Sequence, residues 1–313
     1  VYWNGEKYQL WEIQYQKVGT AGSFRYRESA DGYHWSEPVA CSINDRYNWI
    51  ALWHGGVTVT ETGFQLVYIG SPTISDKIYY AESKDGINWV KPKLGLREFN
   101  GSKENNIILD KNDNSFDNFF VFIDENPTCP AAEKYKGIGS VGDGLWCFVS
   151  PDGLNFKKGW LLTNKGQFDT MNVIIWDAKR KKYVGFIRGF HNMTDENSPW
   201  TGVRDIRYME SKDFKNWSDP KLLDFGDADD YPLYTNCVSQ YYRGKHVFVG
   251  FPSRYVERKE WTDTFDKLTG RQKRFERYKI SPRYGLTITD CVFMTSRDGY
   301  SWKRYDEAIH RPG

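Results

Sequence analysis

Three aspartates, Asp117, Asp169 and Asp230, lie at nearly equivalent positions before β-type runs, although more than 50 residues separate them in the chain. Two carboxyl groups can cleave a glycosidic bond: one protonates the leaving oxygen, and the other activates water or attacks carbon. Clustered carboxylates also drive their pKa values apart, which separates acid from base. The three are therefore candidate catalytic residues, with a turn or strand-start hydrogen bond as the other interpretation of each.

Candidate substrate-binding residues fall on the same predicted edge of the fold. Aromatic faces can stack on sugar rings, and guanidinium groups can bind hydroxyls or a carboxylate. The histidines are interpreted as hydrogen-bonding residues, so no metal and no cofactor are expected. The set is Trp53, His54, Arg188, His191, Trp200 and Arg254.

A repeated motif indicates how the chain brings these residues together. Ser-x-Asp-Gly-x-x-aromatic occurs five times, starting at Ser29, Ser83, Ser150, Ser211 and Ser296, with Phe214 in place of glycine in the fourth copy. Asp-Gly between β-rich runs is a hairpin signal, so the fourth turn should differ or be strained. A reaction centre needs unlike groups converging once, and the motif aspartates are therefore predicted to be structural.

Each motif follows three β-type runs and joins the third strand to a fourth. Five such units predict an all-β fold: a five-bladed β-propeller with four-stranded antiparallel blades. We expect one domain over 1–313, with blades near 1–40, 50–95, 115–160, 169–222 and 231–305 and terminal segments missing. Residues before each inner strand would meet at the axis, where Asp117, Asp169 and Asp230 would converge.

The fifth unit carries an insertion from Val256 to Gly285 with nine basic and five acidic residues. No apolar stripe of helix length is present, so the insertion is expected to be a loop that overhangs the central depression. It is either a solvated loop or a recognition element for an acidic or sulfated sugar.

Composition excludes several classes of protein. The 313 residues carry a net charge of +2, which gives no global field for nucleic acid, and no apolar stretch is long enough to span a membrane. The five cysteines include no CxxC pair, so a zinc knuckle or a disulfide scaffold is not expected. They are interpreted as small buried hydrophobic residues.

The five motif turns, together with the aspartates before the inner strands, resemble the five-bladed propeller glycoside hydrolases. Families 32 and 43, which cleave fructosides, arabinosides and xylosides, are the nearest named relatives. The stretch from Tyr79 to Asn106, the run Thr295-Ser-Arg-Asp-Gly and the closing Arg311-Pro-Gly are similar to a family-32-like bacterial group. The resemblance implies a three-carboxylate site with one member before Val1, and the Arg-Asp-Pro triplet of family 32 is absent.

The sequence thus predicts a glycoside hydrolase that acts on an oligo- or polysaccharide, acidic ones included, in an axial pocket. The alternatives are a non-catalytic glycan-binding propeller and a phosphorolytic relative. A glycan-binding protein would lack a close carboxylate pair, whereas a phosphorylase would cluster cations around one phosphate. A secreted or periplasmic location is expected.

Overall fold

The computed structural model describes residues 1–15, 22–43, 50–70, 77–110, 116–142, 144–195, 198, 201–258 and 260–311. Within these ranges, the side chains of residues 14, 15, 22, 50–55, 70, 116, 117 and 283 are not described. The chain divides into two compact units, Val1–Asn164 and Lys165–Gly313. Its five antiparallel sheets are the blades of a five-bladed β-propeller, which confirms the predicted fold class. That the chain forms one cooperative domain stays a prediction.

The first unit contains three sheets, each with its strands in chain order. The first sheet comprises β1 (Tyr2–Trp3), β2 (Tyr8–Tyr15), β3 (Gly22–Ser29) and β4 (Val39–Ala40). The second comprises β5 (Ile50–Thr60), β6 (Gly63–Gly70), β7 (Lys77–Ser83) and β8 (Trp89–Val90), and β9 (Ile107–Asp110) also pairs with β7. The third comprises β10 (Phe116–Ile123), β11 (Tyr135–Val141), β12 (Gly144–Ser150) and β13 (Lys157–Thr163), with a 3₁₀ turn at Ala131–Glu133.

The second unit contains two sheets and the helices. The fourth sheet comprises β14 (Val173–Asp177), β15 (Lys182–His191), β16 (Val203–Ser211) and β17 (Lys221–Leu222). The fifth comprises β18 (Ser239–Gln240), β19 (Phe248–Gly250), β20 (Ser253–Val256), then β21 (Ile288–Ser296) and β22 (Trp302–His310). Strand β21 pairs with β19, β20 and β22. Between β20 and β21 lie α1 (Asp263–Asp266), α2 (Arg271–Ile280) and α3 (Pro282–Leu286). No helix in the described ranges is long and apolar enough to span a bilayer.

The motif turns are held by their own side chains, as the second copy shows. Ser83 Oγ accepts the amide hydrogen of Gly86 at 2.9 Å and lies 3.0 Å from Asp85 Oδ1. Asp85 Oδ1 accepts the amide hydrogens of Ile87 and Asn88 at 2.9 and 2.7 Å. The other motif aspartates accept the equivalent amide hydrogens. The structural interpretation of these carboxylates is therefore confirmed.

The fourth turn keeps this geometry with Phe214 in the glycine position. Phe214 has φ of 66°, a conformation that costs about 1–2 kcal/mol in an L-residue. Its ring is 1% exposed and lies 4.8 Å from the ring of Tyr183 and 5.4 Å from that of Trp217. Burial of a phenylalanine contributes about 1.5–3 kcal/mol, which offsets the strain. The turn is strained, as predicted, but it does not differ in shape.

Two of the motif tryptophans, Trp89 and Trp302, pack between neighbouring sheets. Trp89 is 6% exposed, and its ring lies 6.0 Å from that of Phe24 in the first sheet. Trp302 lies 5.7 Å from Phe186 in the fourth sheet. Each indole also donates to the backbone of its own turn, so one residue closes a turn and fills an interface.

The helical insertion corrects the expectation of a loop. Helix α2 has no buried residue. It therefore lacks the apolar stripe that marks a helix packed on a core. Good helix formers carry it, and Gln272 donates to Glu276 at 2.9 Å across one turn. Trp261 packs on the rings of Phe275 and Tyr278 at 5.2 and 5.7 Å, which fixes the helix within the insertion.

Candidate functional site

Strands β15 and β16 position the charged side chains of the second unit. They pair antiparallel, with Gly189 opposite Asp205 and Phe190 opposite Arg204. Successive side chains of a strand point to opposite faces, so the pair presents two different groups. Arg188, Phe190 and Arg204 share one face, and Gly189, His191, Asp205 and Arg207 share the other.

On the second face, His191 lies between two carboxylates. Its Nδ1 is 3.1 Å from Asp205 Oδ2, and its Nε2 is 2.9 Å from Asp230 Oδ2. The hydrogen bond with Asp205 is the main cause that raises the pKa of His191, and the Asp230 carboxylate adds to it, whereas burial opposes both. Charge on the imidazole is thus favoured by two partners, as expected for His⁺ beside anions.

Asp205 is the fixed member of this group. It is 3% exposed, and its Oδ1 and Oδ2 accept from Arg207 Nε and Nη2 at 3.0 and 3.1 Å. Asp230, by contrast, has a side chain 52% exposed. Asp205, held by Arg207, therefore orients the imidazole, and the imidazole holds a carboxylate that solvent can reach.

Gly189 provides the space for the Asp205–Arg207 pair. A Cβ atom at this position would lie 2.6 Å from Asp205 Oδ1 and 2.8 Å from Arg207 Cδ. Any other residue would displace one member of the ion pair, because the contacted atoms belong to short or fixed side chains.

On the first face, Arg188 forms an ion pair with Asp169. The Arg188 side chain is 2% exposed and that of Asp169 is 35% exposed. Asn172 shapes the segment before β14: its Nδ2 donates to the carbonyls of Phe168 and Thr170 at 3.1 and 2.8 Å. The carboxylate of Asp169 is thus held at a strand start by a buried guanidinium.

A second buried guanidinium lies in the same aromatic surroundings. The guanidinium carbon of Arg188 is 5.0 Å from the ring of Phe190 and 5.1 Å from that of Tyr234. The guanidinium of Arg204 is 5.7 and 5.9 Å from the same rings and 4.7 Å from Tyr255. Desolvated cation–π contacts of this kind contribute about 2 kcal/mol each. Arg204 Nη1 also lies 3.6 Å from Glu257 Oε1.

The structure brings some of the predicted residues together. Asp169 meets Arg188, and Asp230 meets His191. Arg254 lies elsewhere, on β20, where its Nε and Nη2 bind both oxygens of Asp290 at 2.9 and 2.6 Å. The other predictions fall where side chains are not described: Trp53 and His54 on β5, Asp117 on β10, and Trp200 outside the described residues. The assigned roles of all these residues stay predictions.

Sequence reasoning missed Asp205, Arg204 and Arg207. The available signal was the run Val203-Arg-Asp-Ile-Arg, in which adjacent charges interrupt a strand that should be covered on both faces. In the described ranges, no group of three or more His, Cys, Asp or Glu side chains could hold a metal ion. All five cysteines are free, and only Cys41 and Cys147 are fully buried.

No protein-family model and no curated protein matches the chain. Several solved structures share its fold. An N-acetylgalactosamine deacetylase from F. plautii, solved with blood group B trisaccharide, is 14% identical; the match covers 86% of this chain and 73% of that one, with a TM-score of 0.51. A second structure comes from glycoside hydrolase family 130, a family of mannoside phosphorylases that contains hydrolases of β-1,2 mannosidic linkages in Candida mannan. It is 13% identical; the match covers 80% of this chain and 78% of that one, with a TM-score of 0.52.

The family 32 β-fructofuranosidase of Bombyx mori is 14% identical with a TM-score of 0.53. The match covers 94% of this chain, which spans only 58% of the Bombyx protein. A thermostable family 43 glycoside hydrolase is similar at a TM-score of 0.50 and 13% identity. The resemblance to propeller glycoside hydrolases is thereby confirmed at the level of the fold.

Proposed function

We propose that the chain cleaves glycosidic bonds and that two supported carboxylates take part: Asp169, paired with Arg188, and Asp230, paired with His191. The observation that carries the proposal is the support behind an accessible carboxylate: Asp230 is hydrogen-bonded to His191, which the buried Asp205 orients. Asp169 supplies a second accessible carboxylate, paired with a buried cation. The hydrolases and phosphorylases among the structures of the same fold support this choice.

The two carboxyl groups have different surroundings and take different roles in this proposal. Asp169, in its ion pair, is the base or nucleophile toward water or the anomeric carbon. Asp230 receives the imidazolium proton of His191 and passes it to the glycosidic oxygen as the bond to the anomeric carbon breaks. A water molecule then transfers its hydroxyl to the anomeric carbon and its proton to Asp169, or to Asp230 when a glycosyl-Asp169 ester is hydrolysed. Proton exchange with solvent returns Asp169 to the carboxylate and His191 to the imidazolium, so that the site is restored.

The test is hydrolysis of an oligosaccharide and aryl-glycoside panel that includes sucrose and β-1,2-mannobiose. On any substrate that the wild-type protein cleaves, Asp169→Asn and Asp230→Asn should lower kcat by about 10²–10⁴-fold. Asp219→Asn is the matched control, because its side chain is 75% exposed and pairs only with exposed Lys165 among the described residues. Wild-type rates in both site variants would remove these carboxylates from the mechanism.

Phosphorolysis is the second candidate, favoured by the two buried guanidiniums that share the rings of Phe190 and Tyr234. Arginine binds phosphate through a bidentate fork. Cleavage that requires inorganic phosphate and yields a sugar 1-phosphate would select this reaction. Binding of sugars from the panel without any turnover would instead favour a glycan-binding propeller.

A further inference from the structure

A groove of about 460 Å³ separates the helical insertion from strands β21 and β22. Lys267 and Arg274 of the insertion line one wall. Asp290 of β21 and Asp306 and Glu307 of β22 line the other. Ligand pockets commonly have volumes of about 300–1,000 Å³, so the groove has room for a short oligosaccharide.

The acidic groups of the groove are already engaged. Arg254 binds both oxygens of Asp290. Asp306 Oδ1 accepts from the Tyr231 hydroxyl at 2.6 Å and from Arg304 Nε at 3.1 Å. Glu307 forms an ion pair with Arg311. Among the described residues, each acidic group of the groove is thus paired with at least one cation.

The two cations on the insertion wall are available. In the described part of the chain, neither Lys267 nor Arg274 has an acidic partner within 4.0 Å. Among the described residues, the Arg274 side chain donates to the carbonyl of Thr269, at 3.4 Å. Two such cations on one wall attract an anionic group, and the effect falls with added salt.

The groove also has apolar surface beside these charges. Leu268, Ile288 and Ala308 contribute to its lining. A sugar ring has C–H faces that pack on apolar atoms and substituents that bind charged groups, whereas a bare inorganic ion uses only the charges. The mixture therefore fits a ring that carries an acid group.

We propose that this groove binds an anionic sugar residue, with its carboxylate or sulfate between Lys267 and Arg274. The inference rests on the proposed function because it names the substrate class of the same protein: acidic glycans. Arg254, which binds Asp290, also lines the groove, in keeping with its predicted role in substrate binding.

The test measures binding by isothermal titration of three probes: oligogalacturonates, sulfated chondroitin oligosaccharides and neutral inulin oligosaccharides. The wild-type protein should bind a charged probe at least tenfold more tightly than the neutral one. Which charged probe binds identifies carboxylate or sulfate as the recognised group. Lys267→Gln with Arg274→Gln should remove this preference and leave binding of neutral sugars unchanged.

Lys273→Gln with Arg277→Gln is the matched control, since it removes the same charge from the same insertion at positions that do not line the groove. Equal losses in both double variants would reduce the effect to general surface charge and overturn the proposal. Equal binding of charged and neutral sugars by the wild-type protein would overturn it as well. So would equally tight binding of a single-stranded oligonucleotide.

The two proposals fail separately. A lost charge preference in the groove variant, with wild-type cleavage in Asp169→Asn and Asp230→Asn, would reject the catalytic site alone. Cleavage abolished by those two changes, with charge preference intact in the groove variant, would reject the acidic-sugar groove alone. Unchanged circular dichroism and Tm in each variant show that folding is not the cause.

Discussion

Gly189→Ala should destabilise the second unit by forcing apart the Asp205–Arg207 ion pair. The added Cβ would lie 2.6 Å from Asp205 Oδ1 and 2.8 Å from Arg207 Cδ, distances at which one side chain must move. Asp205 is 3% exposed, so it has no solvated position to adopt. Overpacking costs about 1–3 kcal/mol, and loss of a partner for a buried charge costs about 3–5 kcal/mol. Because the displaced side chains can relax in part, we expect the free energy of unfolding to fall by about 2–4 kcal/mol.

Gly185→Ala, on the same strand, is the matched control. Its Cβ would meet Met209 Cγ and Cε at 3.0 and 3.2 Å, and a thioether chain can adjust. We expect a change within about 1 kcal/mol for this variant. Urea unfolding followed by tryptophan fluorescence measures both values from the midpoint at constant slope.

The ion pair also affects the pKa of His191, which NMR titration of the ring protons can measure. In Gly189→Ala the pKa of His191 should fall toward its ordinary value, because its main cause, the hydrogen bond with Asp205, is disturbed. Equal stability losses in the two glycine variants, with an unchanged His191 titration, would refute the proposed tight contact.

Three further outcomes are expected. The pKa of His191 is raised on folding, so its contribution to stability is complete below the unfolded pKa of about 6.5 and is lost as pH rises through the folded value; unfolding free energy should decline over that window in wild type but not in His191→Gln. Burial would raise the pKa of Asp85, but hydrogen bonds led by Asn88 lower it to about 2. Its contribution is present above the unfolded pKa of about 3.9 and is lost as pH falls toward about 2, so the slope of stability against pH in acid should be smaller in Asp85→Asn than in wild type. Phe214→Gly should lower unfolding free energy by about 2–4 kcal/mol, since lost burial exceeds relieved backbone strain; a more stable variant would contradict this balance.

The fold could be predicted because its turns are determined locally. Ser83 and Asp85 satisfy the backbone of their own turn within a few residues, and the same chemistry recurs in the other copies. Helix α2 could not be predicted in this way. Phe275 and Tyr278 pack on Trp261 inside the insertion rather than on a sheet, so no long apolar stripe marks the helix.

The candidate site was only partly predictable. Asp169 and Asp230 stand before β-type runs, where a sequence pattern locates them. Asp205 and Arg204 lie within β16, where charged residues ordinarily indicate a solvent-facing side of the strand. Both are nevertheless buried, because Gly189 and His191 accommodate the first and aromatic rings surround the second. Such pairings depend on register between strands, which a single sequence does not specify.

The paired ends of the insertion have a consequence for how this protein can change. Val256 and Ile288 are partners in the ladder between β20 and β21, so the helical segment is a long hairpin connection whose two ends lie on one sheet. Doubling the length of such a connection costs only about 0.6 kcal/mol in loop-closure entropy. The blade can therefore exchange this accessory lobe for another without rebuilding its strands, and specificity can evolve independently of the scaffold.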